Sequence, residues 1–319
     1  MSTDQQHFES VLEGISRGST ADIKILLASL RPSEIAGVLE ANLPETRHII
    51  WGLIDEDVRN QSLQHLHDDV RGQFLEMMDT AQLVAVAEEL DTDDFADILQ
   101  QLPETITNQV LESLDSRDRA RVESVLSYPE DSAGGLMNTD TITVRPRHAA
   151  ELVLRYLRLR RELPPTTDAL IVVNSRDEYL GVLPITKLLT ADPSVTVREI
   201  MNSEEPPIHV AESDTEVARL FSERDLISAP VVDDAGHLVG RITIDDVVDV
   251  IIEDAEEAVL APAGLLVDED TFAPVRRSVR RRAVWLGINL ITAVMAAAVI
   301  HLFEETIVKV VALAVLMPV

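Results

Sequence analysis

The 319-residue sequence contains no cysteine. Disulfides, thiolate nucleophiles, sulfur-ligated zinc and iron–sulfur clusters are therefore excluded, and any metal must sit on oxygen or imidazole. Aromatic residues make up only 3% of the chain, so its cores must be built from Leu, Ile, Val and Ala, a composition that favours helices. Positive charge is also scarce: 27 Lys plus Arg stand against 56 Asp plus Glu, a formal net charge of -29. Such a field repels phosphate backbones and concentrates cations, which argues against a nucleic-acid partner. Composition alone leaves two readings of the acidity, a solubility surface or cation binding. Met1–Ser19 carries no apolar segment, so no signal peptide is expected. No P-loop, zinc motif, EF-hand loop or nucleophile–base pair is visible, and the chain does not read as an enzyme.

One long apolar run is present. Val284–Phe303 reads VWLGINLITAVMAAAVIHLF, broken only by Asn289, Thr292 and His301. About 20 helical residues cover the roughly 30 Å hydrocarbon layer, so the run predicts a transmembrane helix in contact with lipid. Arg276, Arg277, Arg280, Arg281 and Arg282 directly precede it, which places everything before residue 284 on the cytoplasmic side of the cell (inner) membrane. A second apolar run, Ile307–Val319, contains Lys309 and is too short to cross a bilayer. The expectation is a multi-pass protein of which this sequence holds the beginning.

The region up to about Leu126 is helical by period and repeats itself. The stretch Ser33–Glu40 followed by Leu43-Pro44-Glu45-Thr46 is echoed by Asp93–Gln100 followed by Leu102-Pro103-Glu104-Thr105. Each unit is expected to open on a helix-capping residue, to carry apolar residues at helical spacing, and to end at a Leu-Pro breaker. Short helices of this kind stack into a superhelical bundle.

From Met137 to about Ile252 a second repeat appears, with apolar strands between helices. Met137-Asn138 recurs as Met201-Asn202; Leu170–Asn174, Leu180–Leu183 and a helix from Ile185 are matched by Pro230–Asp233, Leu238–Ile242 and a helix from Ile244. This tandem resembles a pair of cystathionine β-synthase (CBS) modules, carried by Asp234-Ala235-Gly236-His237-Leu238-Val239-Gly240 and Thr243-Ile244-Asp245-Asp246. The resemblance implies paired sheets and an adenine-nucleotide site in which a Thr-x-x-Asp element holds phosphate and ribose. Thr243 and Asp246 fit that element, whereas the first copy has Pro184 and Lys187 in those places. Thr243 equally reads as the cap of the following helix.

Ile244–Leu260, IDDVVDVIIEDAEEAVL, separates into two faces. Val247, Val248, Ile251, Ile252, Ala255 and Val259 form the expected apolar stripe, and Asp245, Asp249, Glu253 and Glu256 lie opposite it. Like charges at i, i+4 cost a few tenths of a kcal/mol per pair, and a divalent cation would relieve them. Mg2+ suits such a surface because it binds through one or two carboxylates and keeps several waters. A solvated acidic face is the plainer reading. His65 and His67, two residues apart on an expected helix, point to different sides and read as surface residues.

Helical repeats, a CBS pair and a connecting helix leading into the membrane occur in that order in the magnesium transporter E (MgtE) family. Tyr128–Met137, Arg282–Leu286 with Asn289-Leu290, and Phe303-Glu304 with Leu313-Ala314 and Met317–Val319 are similar to that family's junction and to the opening of its membrane domain. The resemblance implies a multidomain α+β chain: an all-α superhelical N domain at 1–134, CBS modules at 135–200 and 201–256, a plug helix at 257–283, a transmembrane helix at 284–303 and the start of another at 307–319. It further implies a homodimeric Mg2+ transporter or channel whose cytosolic domains close the pore when Mg2+ is bound. The metal-binding role carries onto Asp93, Asp97, Asp225, Asp246, Asp249, Asp254 and Glu257, with Ala258 standing where the family often has another acid. The alternative is an ATP-sensing CBS regulator with a membrane anchor, using Thr243 and Asp246.

Overall fold

The computed structural model describes residues 20–160, 163–260, 272 and 275–303. The first domain is a stack of short helices: α1 Thr20–Leu27, α2 Pro32–Glu40, α3 Pro44–Trp51, α4 Glu56–Ser62, α5 Asp68–Leu75, α6 Thr80–Glu89, α7 Thr92–Gln100, α8 Glu104–Ser113 and α9 Ser116–Leu126. Its core is the Leu, Ile and Val set that the composition demands, joined by Phe74, Phe95 and Trp51. Trp51 stacks on Phe74 with ring centroids 4.1 Å apart.

The two repeat units open two residues earlier than their sequence suggests. Arg31 and Asp91 are the N-caps, and Ser33 and Asp93 sit inside the first turn. In α2 the shift follows from Pro32, whose fixed φ suits the first helical position. Both units solve the problem of their last carbonyls in the same place with different chemistry. The Leu39 carbonyl accepts a hydrogen bond from Nε of the fully buried Arg47 at 2.9 Å, and the Leu99 carbonyl accepts one from the Thr107 hydroxyl at 3.1 Å. Arg47 also donates to the Glu40 carbonyl at 3.2 Å, so a cation occupies the negative end of α2.

The second domain holds two similar sheets. In the first, β1 Thr143–Val144 runs parallel to β2 Ala169–Val173, which pairs antiparallel with β3 Tyr179–Pro184. In the second, β4 Ile208–His209, β5 Ser228–Val232 and β6 Leu238–Thr243 repeat that order and register. Helices α10 Ala150–Arg160, α11 Ile185–Thr190 and α12 Val197–Ile200 accompany the first sheet, and α13 Asp214–Arg224 and α14 Ile244–Leu260 the second. A final helix, α15, spans Val275–Leu302.

The junction after α9 packs on the second module and bypasses the first. The Ala133 and Gly134 N–H groups donate to the carbonyls of Glu212 and Val210, and Asn138 exchanges two backbone hydrogen bonds with Arg241. Ala96 and Val125 of the helical domain share one buried cluster with Met137, Phe221, Ile242 and Val247. The helical domain thereby rests against α14.

The apolar stripe expected along α14 is only partly covered by neighbours. Val247 and Val250 are buried in one cluster with Val217, Ala218 and Phe221 of α13, but Val248, Ile251, Ile252 and Val259 are 42–74% exposed, and every residue from 251 to 259 is exposed. A single helix also runs through the boundary that the sequence set at 256/257. Among the described residues no helix is long and apolar enough to cross a membrane. Within the expected span at 284–303 the side chains are described without a break only over 286–301, about 24 Å of helix against a roughly 30 Å hydrocarbon layer. The second run, 307–319, lies outside the described residues.

Candidate functional site

Helix α7 presents Asp93, Asp94 and Asp97 toward α14, whose Asp246, Asp249, Glu253 and Glu256 follow one another at i+3 or i+4 and so share a face. Between the two helices lies a cavity of about 450 Å³. Its wall is completed by Asp68 and Arg71 of α5, Glu130 of the junction, and His65 and His67. Acidic residues in the first turn of α7 suit the positive end of its dipole, but here burial outweighs that benefit.

The electrostatics are those of carboxylates crowded between two helices, with Asp93 buried, Asp94, Asp97 and Asp246 half-buried and Asp249 exposed. Burial, reinforced by Asp246, raises Asp94 to about 8. Burial and the neighbouring Glu130 raise Asp97 to about 7, with Arg71 opposing. Asp246 is raised by burial to about 7, although Thr243 hydrogen-bonds its charged form. Asp93 is raised well above the carboxylate range by burial and by Asp246. Asp249 rises more modestly through burial, with His65 opposing. Among the described residues, Asp93 Oδ1 is a buried oxygen with no hydrogen-bond partner. A buried acceptor left in that state costs about 1–3 kcal/mol.

Four of the seven residues assigned a metal role from the sequence therefore meet at one cavity: Asp93, Asp97, Asp246 and Asp249. The other three do not line it. Asp225 is exposed and terminates α13 in the left-handed region, φ 53° and ψ 45°, a conformation that a short polar side chain tolerates. Asp254 and Glu257 are exposed on the far part of α14. Among the described residues no group of three or more His, Asp or Glu side chains converges closely enough to hold a bare metal ion.

Asp94, Asp68 and Glu130 were missed by sequence reasoning; the run of adjacent acids at 93–94 was the available signal. The surface reading of His65 and His67 holds, His65 being exposed and the His67 side chain 42% exposed, but the helical geometry assumed for the pair is corrected. Leu63–His65 is a 3-10 turn, and Leu66 and His67 are extended (ψ 138° and 148°). Extended backbone turns residues i and i+2 to the same side, and both imidazoles reach the cavity. His67 Nδ1 lies 2.7 Å from Glu40 Oε1.

Thr243 and Asp246, the pair matched to a nucleotide-binding element, bond to each other. The Thr243 hydroxyl and N–H donate to Asp246 Oδ2 at 2.8 and 3.1 Å, the reach-back of a third-position acid onto the residue that opens a helix. Thr243 is 6% exposed. Replacing it by Ala is expected to cost about 1 kcal/mol, measured as a lowered thermal midpoint.

The profile of the MgtE intracellular N domain matches residues 30–131, and that of the CBS domain matches residues 197–253. The magnesium transporter MgtE of Thermus thermophilus is 31% identical over 316 residues, covering 97% of this chain and 70% of the relative. The magnesium transporter MgtE of Bacillus subtilis is 27% identical over 306 residues, covering 94% of this chain and 67% of the relative. The crystal structure of the cytosolic domain of the Mg2+ channel MgtE in complex with ATP is similar to this one at a TM-score of 0.69. Its identity is 33%, over 76% of this chain and 99% of that one.

Proposed function

Since the chain belongs to the MgtE magnesium transporter family, we propose that it is the Mg2+-sensing part of a Mg2+ transporter and has no enzymatic role. The single observation that carries this reading is the buried, unpartnered Asp93 Oδ1 on a cavity walled by carboxylates from two domains. The donor set is oxygen-rich and too open for a bare ion, which fits a hydrated Mg2+. Asp93, Asp97, Asp246 and Asp249 would hold it together with Asp94, and Asp225, Asp254 and Glu257 would serve outside this cavity. Bound Mg2+ supplies two positive charges to the cavity. With their charge offset, the carboxylates of α7 and α14 draw together; without it they repel, and the helical domain loosens from α14.

In this proposal the chain leads from α14 by way of the plug region at 257–283 to the membrane helix at 284–303, so tension at the α14 carboxylates is passed to the pore and Mg2+ binding closes it. The arginines at 276–282 hold the preceding domains on the cytoplasmic side of the inner membrane. The protein acts as a homodimer, a second copy covering the exposed Val248, Ile251 and Ile252 of α14.

Titration of the chain with Mg2+ and, separately, with ATP tests the reading. At one hundred times its Kd a ligand adds about 2.7 kcal/mol, which corresponds to a rise of roughly 5–10 °C in thermal midpoint. Mg2+ is expected to give that rise and to protect the junction at 127–138 from proteolysis. A large shift with ATP and none with Mg2+ would overturn the sensor in favour of the nucleotide regulator.

A further inference from the structure

Among the described residues that line the cavity, Arg71 is the one Lys or Arg. Its side chain is 11% exposed. Nε donates to Gln101 Oε1 at 3.0 Å, and Nη2 donates to Asp68 Oδ1, which also accepts from Gln101 Nε2. Gln101 is the residue that closes α7, so the guanidinium is clamped between α5 and the end of the helix that bears the acid cluster. A long, clamped and permanently protonated side chain cannot swing out to water or lose its charge. Held there, it presents a fixed positive charge to Asp97, and that attraction is felt at the carboxyl.

The other basic groups at the cavity differ in kind. His65 is held below its ordinary value by burial, so at neutral pH it adds little positive charge. His67 is directed to Glu40 on α2. Arg71 is thus the permanent internal counter-ion of the acidic cavity.

We infer that Arg71 sets the concentration at which the cavity responds to divalent cations, by occupying with a fixed charge part of the field that a cation would otherwise fill. This rests on the proposed sensing role. The consequence is opposite in sign to that of a structural residue. Loss of a structural residue would weaken cation binding, whereas loss of a built-in competitor strengthens it. A single charge removed from a partly buried site of this kind changes affinity by roughly five- to tenfold.

The experiment is a Mg2+ titration of the full chain and of Arg71→Gln, followed by thermal midpoint and by proteolytic protection of the junction. Arg71→Gln is expected to start less stable without divalent cations and to reach half-response at roughly one-fifth to one-tenth of the wild-type Mg2+ concentration. Arg71→Lys, which keeps the charge but not the forked geometry, is expected to stay within about twofold of wild type. An unchanged or raised half-response concentration in Arg71→Gln, with wild type responding, would overturn the inference alone. If Arg71→Gln does not fold, Arg71→Lys decides: a several-fold weakening would assign Arg71 a structural part and overturn the inference. A flat response in both wild type and Arg71→Gln overturns the sensing role along with it.

Discussion

In a buffer stripped of divalent cations, the thermal midpoint of the protein is expected to fall as pH rises from about 4 to about 8, by at least roughly 10 °C, the effect of one such group alone. Asp94, Asp97 and Asp246 have ordinary values near 3.8 when unfolded and about 8, 7 and 7 when folded. Below pH 3.8 both states hold these protons and the groups cost nothing. Between 3.8 and the folded values only the folded state holds them, so each added pH unit favours unfolding. Above about 8 the folded protein carries the full repulsion between α7 and α14. Saturating Mg2+ is expected to flatten the slope, because the cation replaces the departing protons as the neutralising charge. For the same reason Mg2+ binding should release protons and tighten as pH rises. Asp94→Asn is expected to remove part of the slope and to raise the metal-free midpoint at pH 8. A midpoint that climbs with pH in this window, or a slope indifferent to Mg2+, would contradict the crowded-carboxylate account of the cavity.

The second large effect is mechanical. Gly135 lies in the junction where a Cβ would stand 2.5 Å from the Glu130 carbonyl oxygen, 2.6 Å from that of Pro129 and 2.9 Å from the Glu130 Cα. All three obstacles are backbone, so no side chain can rotate aside. Gly135→Ala is expected to cost about 3 kcal/mol, a fall of roughly 6–12 °C in thermal midpoint, and to expose the junction to protease even with Mg2+ present. Gly37→Ala supplies the contrast. Gly37 lies inside α2 with nothing within 4 Å of the added carbon, and the change is expected to stabilise by about 0.5–1 kcal/mol. Urea unfolding of the two variants beside wild type measures both; equal effects would mean that the junction is not tightly seated.

Much of this was legible in the chain because local signals carried it. The Leu-Pro pairs at 43–44 and 102–103 stop helices wherever they fall, and the apolar runs at 170–173 and 230–232 are short enough to read as strands. The site was only half legible. Asp93 and Asp246 are far apart in sequence and meet through tertiary packing, so sequence named them by family likeness rather than by contact. His65 and His67 were expected to point to different sides because the reading assumed a helical turn where the backbone is extended. The stripe on α14 was drawn correctly as amphipathic, but periodicity does not say how far along the helix its neighbours extend. Asp225 illustrates the converse, an acid whose place is explained by the left-handed backbone it closes.

The seating of the junction on the second module has a consequence for how the protein is made. The helical domain is complete as a sequence by Leu126, yet Ala96, Val125 and Met137 find their partners in Phe221, Ile242 and Val247. At ordinary synthesis speeds the intervening hundred or so residues take roughly 5–20 s to emerge. During that interval the first module can fold on its own core, while the helical domain waits with its docking surface uncovered. The nascent chain is therefore most exposed to misassociation between the two modules, and a ribosome pause before residue 250 would prolong that exposure more than one after it.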